Sequence, residues 1–125
     1  MSAPQNVAVW FEIPAANFER AVGFYEKVFE TKLLREKFDS SELAVFPHEG
    51  TGVSGCVMKG EGYKPTREGS VVYITGGKDL SAPLSRAVAN GGSVAIPKTQ
   101  LPDGMGFFAQ FIDIEGNRVG LHSMG

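Results

Sequence analysis

The chain has two histidines, and His122 is the one placed for chemistry. It follows Val119-Gly120-Leu121. In an extended strand alternate side chains take opposite faces, so Val119 and Leu121 share one face and Gly120 and His122 the other. An imidazole on the less apolar face can move protons near neutral pH or contact a ligand. Its competing reading is a solvated ring on a frayed strand end. Glu12 is the acidic counterpart. It is the one charged residue in Val7-Ala8-Val9-Trp10-Phe11-Glu12-Ile13, and alternation puts it with Ala8 and Trp10. It can take a proton, or stand as a paired or solvated carboxylate at the strand end. Together Glu12 and His122 make an acid/base pair, or two of the three or so donors a divalent cation needs, with the third missing. Cys56 is the only cysteine. It reads as a small packing residue, since a free thiol is commonly buried. His48, in Pro47-His48-Glu49-Gly50, belongs to a turn.

These residues need elements to position them. Val7 to Ile13 reads as a strand with Val7, Val9, Phe11 and Ile13 on its apolar face, ended by Pro14. Asn17 is an N-cap for a helix running to about Glu30. Phe18, Ala21, Val22, Tyr25, Val28 and Phe29 form its apolar stripe. Three short strands follow, around Lys32 to Phe38, Glu42 to Phe46 and Val53 to Met58. Gly60 to Gly69 is polar, rich in Gly and Pro, and reads as a connector. The order then repeats. Ser70 to Thr75 reads as a strand. A helix capped by Asp79 or Ser81 carries Leu80, Leu84, Ala87 and Val88, and Gly91-Gly92 stops it. Ser93 to Ile96, Phe107 to Ile112 and Arg118 to Ser123 supply the last strands. Gly104-Met105-Gly106 is either a flap over a pocket mouth or a plain hairpin loop. Asp113, Glu115, Gly116 and Asn117 between two apolar runs mark the closing β-hairpin.

Both halves therefore read strand, helix, strand, strand, strand, an internal duplication. At 125 residues this is one domain: module one over about 6–59, a connector over about 60–69, and module two over about 70–123. The fold class is α+β, with two βαβββ modules forming a curved mixed sheet around a cleft. Apolar residues make up 42% and charged residues 21%, which suits a folded core. The net charge of −2, with no dense basic run, argues against nucleic acid as a partner. No apolar run nears the ~18 residues of a membrane span, and the N-terminus carries no leader pattern, so a cytoplasmic place is expected.

Parity assigns the cleft lining. Ala8, Trp10 and Glu12 come from the first strand, and Ser54, Cys56 and Met58 from the fourth. The fifth gives Val72 and Ile74, or Val71 and Tyr73 if a bulge shifts the register. Phe108, Gln110 and Ile112 come next, then Gly120 and His122. Trp10, Cys56, Met58, Val72, Phe108, Gln110 and Gly120 thus make an aromatic and apolar wall with few polar groups, the composition of a small-molecule pocket.

The paired modules, Ile13-Pro14 followed by Phe18-Glu19-Arg20-Ala21-Val22-Gly23-Phe24-Tyr25, and Asp113-Ile114-Glu115-Gly116-Asn117 followed by Val119-Gly120-Leu121, resemble the glyoxalase/bleomycin-resistance/extradiol-dioxygenase family, the vicinal oxygen chelate superfamily. The resemblance covers nearly the whole chain. It implies a glyoxalase-like fold, and dimers whose cleft is sometimes built between subunits. It also implies metal ligands drawn from the first and last strand of each half, which here are Trp10, a residue near Met58 or Cys56, Val72 or a neighbour, and Gly120. Trp10 and Gly120 offer no side-chain ligand, so no cofactor is expected, with a divalent metal as the alternative although its usual ligand positions are not occupied. Three functions follow. The first is a metal-independent binder of a small organic molecule, as bleomycin-resistance proteins are. The second is an enzyme, either a lactoylglutathione-lyase-like lyase or isomerase or an acid/base enzyme using Glu12 and His122. The third is a partner-binding role built on a homodimer.

Overall fold

The computed structural model describes residues 3–125. The first half runs β1 (Trp10–Pro14), α1 (Phe18–Phe29), β2 (Leu34–Phe38), β3 (Ser41–Val45) and β4 (Ser54–Lys59). The second runs β5 (Tyr73–Thr75), α2 (Ser81–Ala89), β6 (Ser93–Gln100), β7 (Phe107–Ile112) and β8 (Arg118–Ser123). Each half makes one four-stranded mixed sheet. The orders are β1-β4-β3-β2 and β5-β8-β7-β6, with β1 parallel to β4 and β5 parallel to β8. The duplication expected from the sequence is therefore realised element for element.

The local signals act as their chemistry requires. Asn17 has an extended backbone and its side chain accepts from Arg20 N, capping α1. Gly116 takes φ +99 in the β7–β8 turn, a region open to glycine without strain. β6 continues through Pro97, which a sheet edge tolerates because no ladder donor is needed on its open side.

Three expectations are corrected. The first strand begins at Trp10 rather than Val7, because β4 offers pairing only from Ser54, opposite Trp10. Val7 and Val9 are left 87% and 74% exposed. Leu80 itself is the N-cap of α2 and gives no side-chain cap. Asp79 instead accepts from Ser81 N at 2.9 Å. Val88 is exposed and Pro83 takes a buried place on α2.

One core serves both halves. Ile13, Ala44 and Val57 of the first sheet and Ala109, Phe111, Val119 and Leu121 of the second belong to one buried cluster around α1. Tyr25 of α1 meets Phe46 edge-on at 5.7 Å and Phe111 at 6.4 Å, so α1 reaches both halves, while Leu80 and Ala87 bring α2 into the same core against β6 and β7. Each sheet keeps a helix-free face turned away from this core. Among the described residues no helix is long and apolar enough to cross a membrane.

The β7–β8 turn fastens the halves together. Asp113, 3% exposed, accepts from Tyr25 Oη at 2.7 Å and from the backbone nitrogens of Glu115 and Asn117. Asn117 Nδ2 donates to the Pro14 carbonyl at 2.8 Å, and its Oδ1 accepts from Thr66 N at 3.0 Å. Glu115 accepts from Ala16 N and Asn17 N at the start of α1 and from the Arg20 guanidinium.

Candidate functional site

The helix-free face of the first sheet follows from the strand register. Glu12 lies beside Cys56, Cys56 beside Val45 and Val45 beside Leu34, so the four share that face. Trp10 stands next to Glu12 on it, and Met58 lies beside Leu43. Trp10, Leu34 and Phe38 are exposed, whereas Cys56 and Met58 are buried. Glu12 is held by the connector: Tyr63 Oη donates to its Oε1 at 2.8 Å.

Burial, with the Glu12 carboxylate adding to it, pushes the Cys56 thiol up to about 12. A thiol so placed stays protonated and is no nucleophile. The consequence for stability has a definite sign. The unfolded chain ionises this cysteine near its ordinary value of 9.0, and the folded chain does not. Stability is thus complete below that value and falls by up to about 1.4 kcal/mol per pH unit as pH rises toward the folded value. Buried Tyr25, raised by burial and by Asp113, adds to the fall above its ordinary 10.0. Urea midpoints measured against pH should show this alkaline limb, and Cys56→Ala should flatten its first unit. An unchanged limb in that variant would place the titration elsewhere.

The second sheet's helix-free face carries the polar groups. Gly120 sits between Tyr73 on β5 and Gln110 on β7. A side chain at 120 would overlap the Tyr73 ring. With none there, the ring lies across β8 and its hydroxyl accepts from Gln110 Nε2 at 2.7 Å. Arg118 Nη1 donates to Gln110 Oε1 at 2.9 Å. Further along, His122 lies beside Phe108, and its Nε2 is 2.7 Å from the Met105 carbonyl. A carbonyl only accepts, so that nitrogen carries the proton.

A groove of about 640 Å³ runs between the free edges of β1 and β5. Trp10, Phe11, Phe46, Val72, Tyr73 and Arg86 are among its lining residues. A smaller hollow of about 320 Å³ is lined by Tyr73, Leu101, Phe108 and His122. Tyr73 borders both.

The residues expected to line one cleft divide between the two sheets. Trp10, Glu12, Cys56 and Met58 stand on the first helix-free face. Phe108, Gln110, Gly120 and His122 stand on the second. Val72 packs against the core and reaches the groove at the β5 edge, while Tyr73 takes the face position. Glu12 and His122 are not brought together. Each keeps its own partner, and among the described residues no hydrogen bond or ion pair joins them. Met105 is exposed in the β6–β7 loop and holds His122 through its carbonyl. Tyr63 and Arg118 were not marked by sequence. Nothing in a polar connector or at a strand start signals which side chain it will meet.

Fit to a metal can be tested on the side chains themselves. Trp10 has no donor for a cation, Gly120 has no side chain, and the Tyr73 ring fills the space a ligand at 120 would use. No group of three or more His, Cys, Asp or Glu converges among the described residues. Within one chain these residues make no ligand set for a divalent cation.

Two βαβββ modules with a shared helical core and two helix-free faces define the class as a paired-module α+β fold. The chain belongs to the Glyoxalase/Bleomycin resistance protein/Dioxygenase superfamily, whose family model matches residues 8–121. A search of the curated proteins found no match. Among solved structures, a glyoxalase/bleomycin resistance protein from Albidiferax ferrireducens superposes at TM-score 0.71 with 13% identity, covering 93% of this chain and 97% of that one. A glyoxylase/bleomycin resistance protein/dioxygenase domain from Frankia sp. EAN1pec gives 0.70 with 17% identity, over 97% and 98%. Glyoxalase I from Zea mays gives 0.64 with 20% identity over 92% of this chain, which spans 45% of that enzyme's length. At these identities the likeness is one of fold.

Proposed function

We propose that this protein binds a small organic molecule in the apolar groove between β1 and β5 and on the adjoining helix-free faces, without a metal. The observation that carries the reading is the pair of aromatic rings at that groove. Trp10 stands on β1, and Tyr73 lies across the bare Gly120. These are rings where the superfamily resemblance leads one to look for metal donors. A flat apolar ligand gains from such walls about 25 cal/mol per Å² removed from water, and ring contacts add to that.

A second copy of the chain completes the cleft in this reading. β1 and β5 each leave one edge unpaired with Trp10 and Tyr73 exposed on them, and Leu34 and Phe38 stand exposed on β2 at the far edge of the first sheet. Unpaired edges and bare apolar faces are covered when another chain packs on them. The same reading keeps the protein in the cytoplasm, where a lone thiol such as Cys56 stays reduced.

Trp10 is the only tryptophan, so its fluorescence reads occupancy of the groove. Aromatic ligands should change it saturably and raise the melting temperature with their concentration. Sedimentation should give a dimer. Stoichiometric zinc, nickel, manganese or iron after purification without chelators would remove the metal-free reading. Ligand-induced melting shifts that leave Trp10 emission unchanged would move the site away from the groove.

A further inference from the structure

The hydrogen-bond chain on the second sheet fixes the sense of its last member. Arg118 Nη1 can only donate, so the Gln110 atom facing it at 2.9 Å is the amide oxygen. The Gln110 nitrogen is thereby turned to the Tyr73 hydroxyl, 2.7 Å away, and must donate there. Arg118 is itself steadied by the connector, its Nε donating to the Arg67 carbonyl at 3.3 Å. Gln110 is buried and cannot turn over without setting two donors face to face. The Tyr73 oxygen is thus occupied as an acceptor, and its O–H is left to donate outward. That hydroxyl belongs to a half-exposed ring bordering both the groove and the smaller hollow beside Phe108, Leu101 and His122.

From this we infer that Tyr73 is the specificity-determining donor of the site: it selects ligands that present a carbonyl or carboxylate oxygen beside a flat apolar body. The inference rests on the binding function proposed above and names its ligand class. The apolar body lies on the helix-free face that adjoins the groove, against Phe108 and Leu101 in the smaller hollow, and the acceptor oxygen takes the Tyr73 proton. A ligand offering only an N–H at that point leaves two donors opposed and is rejected. Gly120 is what permits the arrangement, because any side chain there displaces the ring.

Three neutral probes test this without Coulomb attraction to Arg118: acetophenone, which only accepts; ethylbenzene, which does neither; and aniline, which donates. In the 125-residue chain, NMR titration should show acetophenone binding about fivefold more tightly than ethylbenzene, as expected for one neutral hydrogen bond. Tyr73→Phe should make the two equal. Gln110→Glu is the sharper variant. Its carboxylate accepts from Arg118 and also from the Tyr73 hydroxyl, which consumes the proton and leaves the phenol oxygen facing outward. Acetophenone should lose its advantage and aniline should gain one. Melting curves confirm that both variants fold. If all three probes bind the wild type equally, the donor role falls and the binding function stands. If acetophenone is preferred in the wild type but Gln110→Glu leaves the order of the probes unchanged, the relay through Gln110 is overturned. If no probe binds saturably, the binding function falls and this inference with it.

Discussion

Asp113→Ala is expected to lower folding stability by about 3–4 kcal/mol, with the melting temperature falling by roughly 10–15 °C. Asp113 is 3% exposed and serves four donors: Tyr25 Oη, Asn117 Nδ2, and the backbone nitrogens of Glu115 and Asn117. Removing the carboxylate leaves the buried Tyr25 hydroxyl and the turn amides without an acceptor. An orphaned buried donor costs more than a formed bond contributes. The loss also spreads, because Asn117 is oriented by Asp113 and in turn holds Pro14 and Thr66. Tyr25→Phe is the milder control, removing one of the four donors at about 1 kcal/mol. Urea denaturation of both variants decides the matter. An Asp113→Ala loss no larger than that of Tyr25→Phe would reduce the network to a single pair.

Glu115→Ala should cost about 2–3 kcal/mol. The Glu115 side chain is 1% exposed and reaches back to the start of α1. One oxygen accepts from Ala16 N at 2.6 Å and Asn17 N at 2.8 Å, and the other takes the Arg20 guanidinium. A carboxylate at a helix N-terminus also meets the positive end of the helix dipole. Burial pushes this carboxyl up, but the bonds from Asn17 N, Arg20 and Ala16 N outweigh it, and its net position is below the usual 4.5. The sign for stability follows. The contribution is whole above the unfolded value and is lost as pH falls through the lower folded one. Glu115→Gln should therefore cost less than Glu115→Ala at neutral pH and flatten the stability profile below pH 4.5. A profile as steep as the wild type's would assign the acid sensitivity to other carboxylates, such as Asp79 beside Lys98.

Both predictions fall on the hairpin turn Asp113-Ile114-Glu115-Gly116-Asn117. Sequence identified it as a turn because Asp, Gly and Asn tolerate its backbone angles. Its larger task was not legible. Glu115 meets Ala16, and Asn117 meets Pro14, about a hundred residues away along the chain. Periodicity carries no information about partners at that separation.

The candidate site divides the same way. Alternation placed Trp10 and Glu12 opposite Phe11 and Ile13, and Gly120 and His122 opposite Val119 and Leu121, because the period of a strand is a local property. It also put Phe108 and Gln110 on the free face. Tyr73 stayed ambiguous with Val72, since the register of a short parallel strand is set by the strand beside it. Arg118 and Tyr63 gain their meaning only from the residues they reach.

The sequence by itself determined the two modules, their order, the cap of α1, the turns, and which residues of most strands share a face. Each of these follows from backbone geometry and spacing within a few residues. Only the tertiary structure decided that α1 joins both halves in one core, that Glu12 and His122 stand on separate faces, and that Gly120 clears the way for Tyr73. Those outcomes depend on how apolar faces distant in the chain share one core and on which donors then find acceptors. Packing and hydrogen-bond satisfaction in three dimensions settle such matters, and local pattern does not.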